Sequence, residues 1–173
     1  MTFFLGGAKS GKTKAALAAA ETFPAPRYYL ATAQPLDDEM RLRIDRHKAE
    51  RGPDWRTIEE PLFLARALAE AREDSVVLLD CLTLWLSNVM GRTPDSYEAE
   101  PILSQFDEFL DLAKKRPGPV VVVSNEVGGG IVPLDPLSRH FRDLSGLIHQ
   151  RLAEAADNVT FVAAGLPLKL KQK

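Results

Sequence analysis

One octapeptide constrains the fold of this chain more than any other segment. Gly6-Gly7-Ala8-Lys9-Ser10-Gly11-Lys12-Thr13 has the form G-x-x-x-x-G-K-[ST], preceded by an apolar run of strand character and followed by an alanine-rich run of helical character. A strand, a glycine-rich turn and a helix in that order wrap a phosphate. The glycines let successive N–H groups point inward at phosphate oxygens, and the helix amino terminus adds a favourable dipole. Lys12 supplies a mobile cation for the β and γ phosphates, and the Thr13 hydroxyl is a ligand for Mg2+. A purely structural glycine turn would not require Lys12-Thr13 directly after Gly11, so the segment reads as a nucleotide phosphate loop.

Such a loop follows a parallel strand, and the rest of the chain supplies the sheet. Residues 2–5, 27–31, 55–58, 76–80, 120–124 and 159–163 read as strands, several of them apolar at every position, as strands covered on both faces are. Between them, residues 12–22, 37–51, 61–72, 82–90, 100–115 and 136–156 read as helices. This alternation predicts an α/β protein: a single P-loop NTPase domain over residues 1–173, with a mostly parallel sheet, right-handed crossovers and helices on both faces. Gly91-Arg92-Thr93-Pro94-Asp95-Ser96 reads as a polar surface loop, and Lys114-Lys115-Arg116-Pro117-Gly118-Pro119 as a helix stop.

Composition removes several function classes. The chain carries 22 Lys and Arg against 24 Asp and Glu, a formal net charge of −2. A general nucleic-acid or anionic-membrane binder needs a surplus of cations, so neither is expected. The one cysteine, Cys81, has no second thiol for a disulfide or a Cys-x-x-Cys site. With no positively charged leader and no apolar run of spanning length, the expected setting is the reducing cytoplasm.

Three further positions carry chemistry. Val76-Val77-Leu78-Leu79-Asp80 is an apolar strand ending in an acid, which places Asp80 at the carboxyl edge where ligands of such sheets bind and where Mg2+ is organised. Glu126 follows the strand at 120–124 and is read equally as a second carboxylate at that edge or as the start of a glycine turn. On the segment 37–51, Leu36, Met40 and Ile44 share a helical face that includes His47, with Arg43 and Arg51 four residues to either side. From the residues alone His47 is either packed in a charge-laced helix or a nucleophile toward phosphorus with arginines holding phosphate oxygens. His140 and His149, among polar neighbours on a long helix, carry weaker signals.

The phosphate loop, Tyr29-Leu30-Ala31-Thr32-Ala33, Asp37-Asp38-Glu39-Met40 with His47, Leu79-Asp80-Cys81-Leu82-Thr83, Ser124-Asn125-Glu126-Val127-Gly128, Gly130-Ile131-Val132-Pro133 and Gly165-Leu166-Pro167-Leu168-Lys169 occur in order along nearly the whole chain. Together they resemble the bifunctional adenosylcobinamide kinase / adenosylcobinamide-phosphate guanylyltransferase family. The resemblance implies a recombinase-like P-loop fold, a homotrimer and two reactions. A nucleoside triphosphate, ATP or GTP, phosphorylates adenosylcobinamide. GTP then transfers GMP to adenosylcobinamide phosphate through a GMP-histidine intermediate, releasing adenosylcobinamide-GDP and pyrophosphate.

By the same resemblance His47 is the nucleophile, and guanine-nucleotide contacts fall on the phosphate loop, Ala31, Thr32, Ala33, Lys48, Ala49, Glu50, Arg51, Glu59 and Asp80. Thr13 and Asp80 are the metal-side residues. Lys9 stands where Arg is frequent and Asp80 where some members have Glu; the first loses bidentate geometry and the second is one methylene shorter. The competing readings are a monofunctional small-molecule kinase and a nucleic-acid-dependent ATPase, the latter disfavoured by the charge. With one P-loop in 173 residues, both reactions would share one nucleotide site.

Overall fold

The computed structural model of the chain describes residues 1–35, 37–49, 51–92 and 98–173, and for residues 39, 43, 45–47 and 49 the backbone alone. Among the described residues seven strands form one sheet: β1 (Thr2–Gly6), β2 (Arg27–Ala31), β3 (Trp55–Glu59), β4 (Val77–Asp80), β5 (Val120–Asn125), β6 (Asn158–Ala163) and β7 (Leu166–Gln172). Their spatial order is β3-β2-β4-β5-β1-β6-β7. Every neighbouring pair is parallel except β6 and β7. The helices are α1 (Lys12–Glu21), α2 (Asp38–Ala49), α3 (Leu64–Glu70), α4 (Leu82–Met90), α5 (Ala99–Lys115) and α6 (Pro136–Ala155).

Side-chain alternation along the strands divides the core between the two faces. Phe3, Val120 and Val122 pack with Trp85, Phe106, Ile148 and other residues of α3 to α6. Phe4, Val121 and Val123 face the other way, onto Ala16 and Ala20 of α1. The helix α5 buries Ile102, Leu103, Phe106, Phe109, Leu110 and Ala113, spacings of three and four that make one apolar stripe. β4 and β5 are the most enclosed strands, with Val77, Leu79, Val122 and Val123 fully buried, which explains their unbroken apolar runs.

Two expectations change. The helix expected over 61–72 forms only over Leu64–Glu70, because the Glu60 carboxylate accepts from the N–H groups of Leu62 and Phe63 and fixes a turn before it. At its far end the Arg116 guanidinium donates to the carbonyls of Leu68, Arg72 and Ser75. The second change is an unexpected strand, β7. It returns from β6 through Ala164 and Gly165, which both have positive φ, 51° and 79°, as a two-residue hairpin turn matching strand twist requires. Its residues are mostly exposed, and Pro167 is tolerated there because β7 is an edge strand. Much of the expected 91–96 loop, residues 93–96, lies outside the described residues, as does Tyr97.

Candidate functional site

The carboxyl ends of the parallel strands gather the site at one sheet edge. The chain leaves β1 at Gly6, where an added Cβ would lie 2.3 Å from the Val162 carbonyl oxygen and 2.6 Å from Ser10 Oγ. No larger residue fits without moving the loop. Gly11 has φ +93° and faces the Cα of Gly165, 3.2 Å from where its Cβ would stand. The Gly165 N–H donates to the Ser10 carbonyl at 2.8 Å, so the β6–β7 turn buttresses the phosphate loop from behind. Within the loop, the Ser10 N–H and the Lys12 ammonium both donate to the Gly7 carbonyl at 3.2 Å. Ser10 and Lys12 are buried while Ala8 and Lys9 are exposed, the latter with φ 55°.

Because β5 lies between β1 and β4, Asp80 is one strand removed from the loop, and Asn125 stands between them. An open cleft is lined by Lys12, Thr13, Ala31, Ala33, Asp80 and Asn125, together with Tyr29, Lys48 and Arg51. Met40 and Ile44 of α2 also face it, in keeping with the apolar face read from the sequence. Thr13 and Asp80 offer a hydroxyl and a carboxylate to this space, oxygen donors of the type Mg2+ prefers.

Not every expected contact lines the cleft. Thr32 is fully buried; its hydroxyl donates to the Cys81 carbonyl at 2.8 Å and accepts from the Cys81 N–H at 2.9 Å, joining β2 to the end of β4. Glu59 is exposed and paired with Lys48, Oε1 to Nζ 2.5 Å. The side chains of His47 and Ala49 and the whole of Glu50 lie outside the described residues; the backbones of His47 and Ala49 belong to the last turn of α2.

Asp80 is held by a residue to which the sequence reading assigned no role. The Tyr29 hydroxyl donates to Asp80 Oδ2 at 2.8 Å, and the Arg51 guanidinium lies over the Tyr29 ring at 3.6 Å from its centroid. Burial and the adjacent Asp80 charge push the Tyr29 phenol above its ordinary value, so it stays a donor. Burial likewise raises the Cys81 thiol, leaving it protonated rather than nucleophilic. The clue to Tyr29 was strand register: Ala31 pairs with Asp80 and Tyr29 with Leu78, so Tyr29 and Asp80 share a sheet face two residues apart along it.

Glu126 takes part in the glycine turn that follows β5. Its N–H donates to the Gly6 carbonyl, and its carboxylate accepts from the Gly128 N–H. His149 departs from its polar sequence surroundings. It is 8% exposed, its Nε2 is 2.7 Å from Ser124 Oγ and its ring is 5.6 Å from that of Phe3. Burial pulls it down to about 4, opposed in part by Glu126. A roomier surface cavity, lined by Met1, Arg116, Arg151 and Asp157, lies at the opposite end of the strands, away from the phosphate loop.

A nearly all-parallel sheet with a glycine phosphate loop after an interior strand, and an acidic strand end facing the same cleft, defines a P-loop nucleotide-binding α/β protein. The chain belongs to the CobU family, cobinamide kinase / cobinamide phosphate guanyltransferase, whose profile matches residues 2–170. It is 44% identical over 169 residues to the bifunctional adenosylcobalamin biosynthesis protein CobP of Pseudomonas aeruginosa, covering 96% of this chain and 95% of that one. To the protein of the same description, CobU, of Escherichia coli it is 37% identical over 181 residues and 99% of each chain. Solved structures share the fold at low identity. A prototypical ATPase of a type III secretion system has a TM-score of 0.60 at 12% identity, covering 97% of this chain and 56% of that one. The RadB recombinase has a TM-score of 0.50 at 15% identity, covering 92% and 72%. The expected family and the expected recombinase-like P-loop fold are therefore both found.

Proposed function

We propose that this chain is a bifunctional transferase of cobalamin biosynthesis that phosphorylates adenosylcobinamide with ATP or GTP and then caps the product with GMP from GTP. The observation that carries this reading is the family match over residues 2–170, coinciding with a single phosphate-loop cleft that Lys48 and Arg51 also face. In the first reaction the substrate hydroxyl oxygen attacks the γ phosphorus, its proton passes to a base, and the nucleoside diphosphate leaves. In the second, a His47 ring nitrogen attacks the α phosphorus of GTP. The bond to the β-phosphate oxygen breaks and pyrophosphate leaves, held by the loop N–H groups and Lys12. The corrinoid phosphate oxygen then attacks the same phosphorus, the P–N bond breaks, and adenosylcobinamide-GDP is released. Two displacements let one cleft take two bulky anions in turn.

Thr13 and Asp80 would hold Mg2+ together with substrate phosphates and water. Among the described residues there is no group of three or more His, Cys, Asp or Glu side chains able to hold a metal; a Mg2+ bound chiefly through phosphates needs none. When bound, the ion neutralises charge developing on the phosphate oxygens. Glu59, paired with Lys48, has the acceptor pair to read guanine N1–H and the N2 amino group. We further propose a homotrimer acting in the cytoplasm on small-molecule substrates, without nucleic acid. Among the described residues no helix is long and apolar enough to cross a membrane. The deciding experiment is incubation with α-labelled GTP and Mg2+: label should remain on the protein, acid-labile and base-stable as a phosphoramidate is. Undiminished label on a His47→Ala variant would overturn the nucleophile assignment.

A further inference from the structure

Strand β2 sends Tyr29 and Ala31 to one face of the sheet, and β4 sends Leu78 and Asp80 to that same face, in the register Tyr29 with Leu78 and Ala31 with Asp80. Ala31 is too small to fill the space before Asp80. A tyrosine two residues back reaches along the face instead, and its hydroxyl meets Asp80 Oδ2 at 2.8 Å. The same ring is fixed on two other sides. The Trp55 ring stands edge-on to it with centroids 6.2 Å apart, and the Arg51 guanidinium lies on it at 3.6 Å, while Arg51 Nη2 is 3.5 Å from Thr57 Oγ1. Tyr29 itself is 5% exposed, so its orientation is set by packing.

We infer that Tyr29 is a positioning residue shared by both reactions: its hydroxyl orients the Asp80 carboxylate, and its ring face seats Arg51 at the lining of the same cleft. The inference rests on the function proposed above only for the identity of the reactions. The phenol donor takes one carboxylate oxygen and leaves Oδ1 as the acceptor available to the metal side. A planar guanidinium stacks on an aromatic face while its N–H groups remain free to meet phosphate or base edges. One ring thereby fixes an anion and a cation at a set separation, and keeps them from collapsing onto one another. Two substitutions separate its two tasks. Tyr29→Phe removes the hydroxyl and keeps the stacking face, whereas Tyr29→Leu removes both.

The test measures binding of a fluorescent GTP analogue as Mg2+ is titrated, and binding of a GDP analogue in EDTA. Tyr29→Phe should raise the Mg2+ concentration for half-maximal GTP-analogue binding about tenfold, the scale of a lost hydrogen bond to a charged group. It should leave metal-free GDP-analogue binding unchanged. Tyr29→Leu should also weaken the metal-free binding, as should Arg51→Ala. In an Asp80→Asn background the hydroxyl no longer has its charged partner, and Tyr29→Phe should add no further change in the Mg2+ requirement. An unchanged Mg2+ requirement in Tyr29→Phe, or a shift of equal size in the Asp80→Asn background, would overturn the inference. Failure of the proposed function would instead appear as absence of a GMP adduct on the unsubstituted protein, with these binding shifts intact.

Discussion

The Lys48 ammonium, in the last turn of α2, lies 2.5 Å from the Glu59 carboxylate at the end of β3. Both side chains are more than a third exposed, and an ion pair of that exposure contributes about 1 kcal/mol or less. The pair is thus a weak contact beside Lys48 of the cleft lining, which a substrate can open or share. Both residues were expected on the nucleotide, and the proposed function has Glu59 meeting the base while Lys48 balances its charge.

This arrangement yields a selectivity prediction. Inosine lacks the N2 amino group that a carboxylate at Glu59 would accept from, so GTP should be preferred over ITP in pyrophosphate release. Glu59→Gln should reduce that preference by roughly tenfold or more, since hydrogen bonds to charged groups contribute about 1.5–3 kcal/mol. An unchanged GTP-to-ITP ratio of kcat/KM would remove Glu59 from base recognition.

On the proposed function the two reactions share one cleft and are separable from one side only. His47→Asn should abolish pyrophosphate release from GTP while adenosylcobinamide is still phosphorylated, because no histidine takes part in the kinase step as proposed. Lys12→Met should slow both reactions by about two orders of magnitude, the scale of losing one preorganised charge contact to a developing anion. Parallel assays of phosphorylated corrinoid and pyrophosphate check this. Loss of both activities in His47→Asn would show that the histidine supports the cleft rather than the transfer alone.

The phosphate loop offers a paired stability test. A methyl group at Gly6 would meet the Val162 carbonyl and Ser10 Oγ, whereas one at Gly7 meets nothing within 4 Å. Gly6→Ala should therefore lower unfolding stability by about 1–3 kcal/mol through overpacking and weaken nucleotide binding by displacing Ser10. Gly7→Ala should change stability by no more than about 0.5 kcal/mol. Denaturant unfolding of the two variants, with nucleotide binding measured alongside, separates steric fit from a general need for glycine.

The parts of this fold visible in the sequence are those with a local signature. The phosphate loop, the apolar run ending at Asp80 and the long stripe of α5 each declare themselves within a dozen residues. β7 did not, because Leu166 to Gln172 alternates leucine with lysine and carries a proline, and only its pairing with β6 makes it a strand. The role of Tyr29 depends on how β2 and β4 align, and sequence spacing holds no information on that register. Thr32 stood beside cleft residues in the chain, yet strand alternation turned its hydroxyl inward to Cys81. His149 was misleading for the reverse reason: polar neighbours along α6 concealed a residue on the helix face that meets Phe3 and Ser124.

That burial gives a pH dependence. His149 has an ordinary value of 6.5 and is pulled down to about 4 in the fold by burial. The titrating and charged group facing it is Glu126, which opposes the shift. Between these values the unfolded chain binds more protons than the native one, so stability rises with pH across that window. The contribution is fully present above about pH 6.5 and is lost as pH falls toward 4, a change on the order of 3 kcal/mol. Asp135, held down chiefly by its hydrogen bonds to Ser138, and Asp157, held down by the amino terminus, titrate below their ordinary 3.8 and hence beneath the window. His149→Gln keeps a polar partner for Ser124 and does not titrate. Denaturant unfolding from pH 4 to 7 should therefore show a steep rise for the unsubstituted protein and a much flatter profile for the variant, and equal slopes would mean that His149 is not the group responsible.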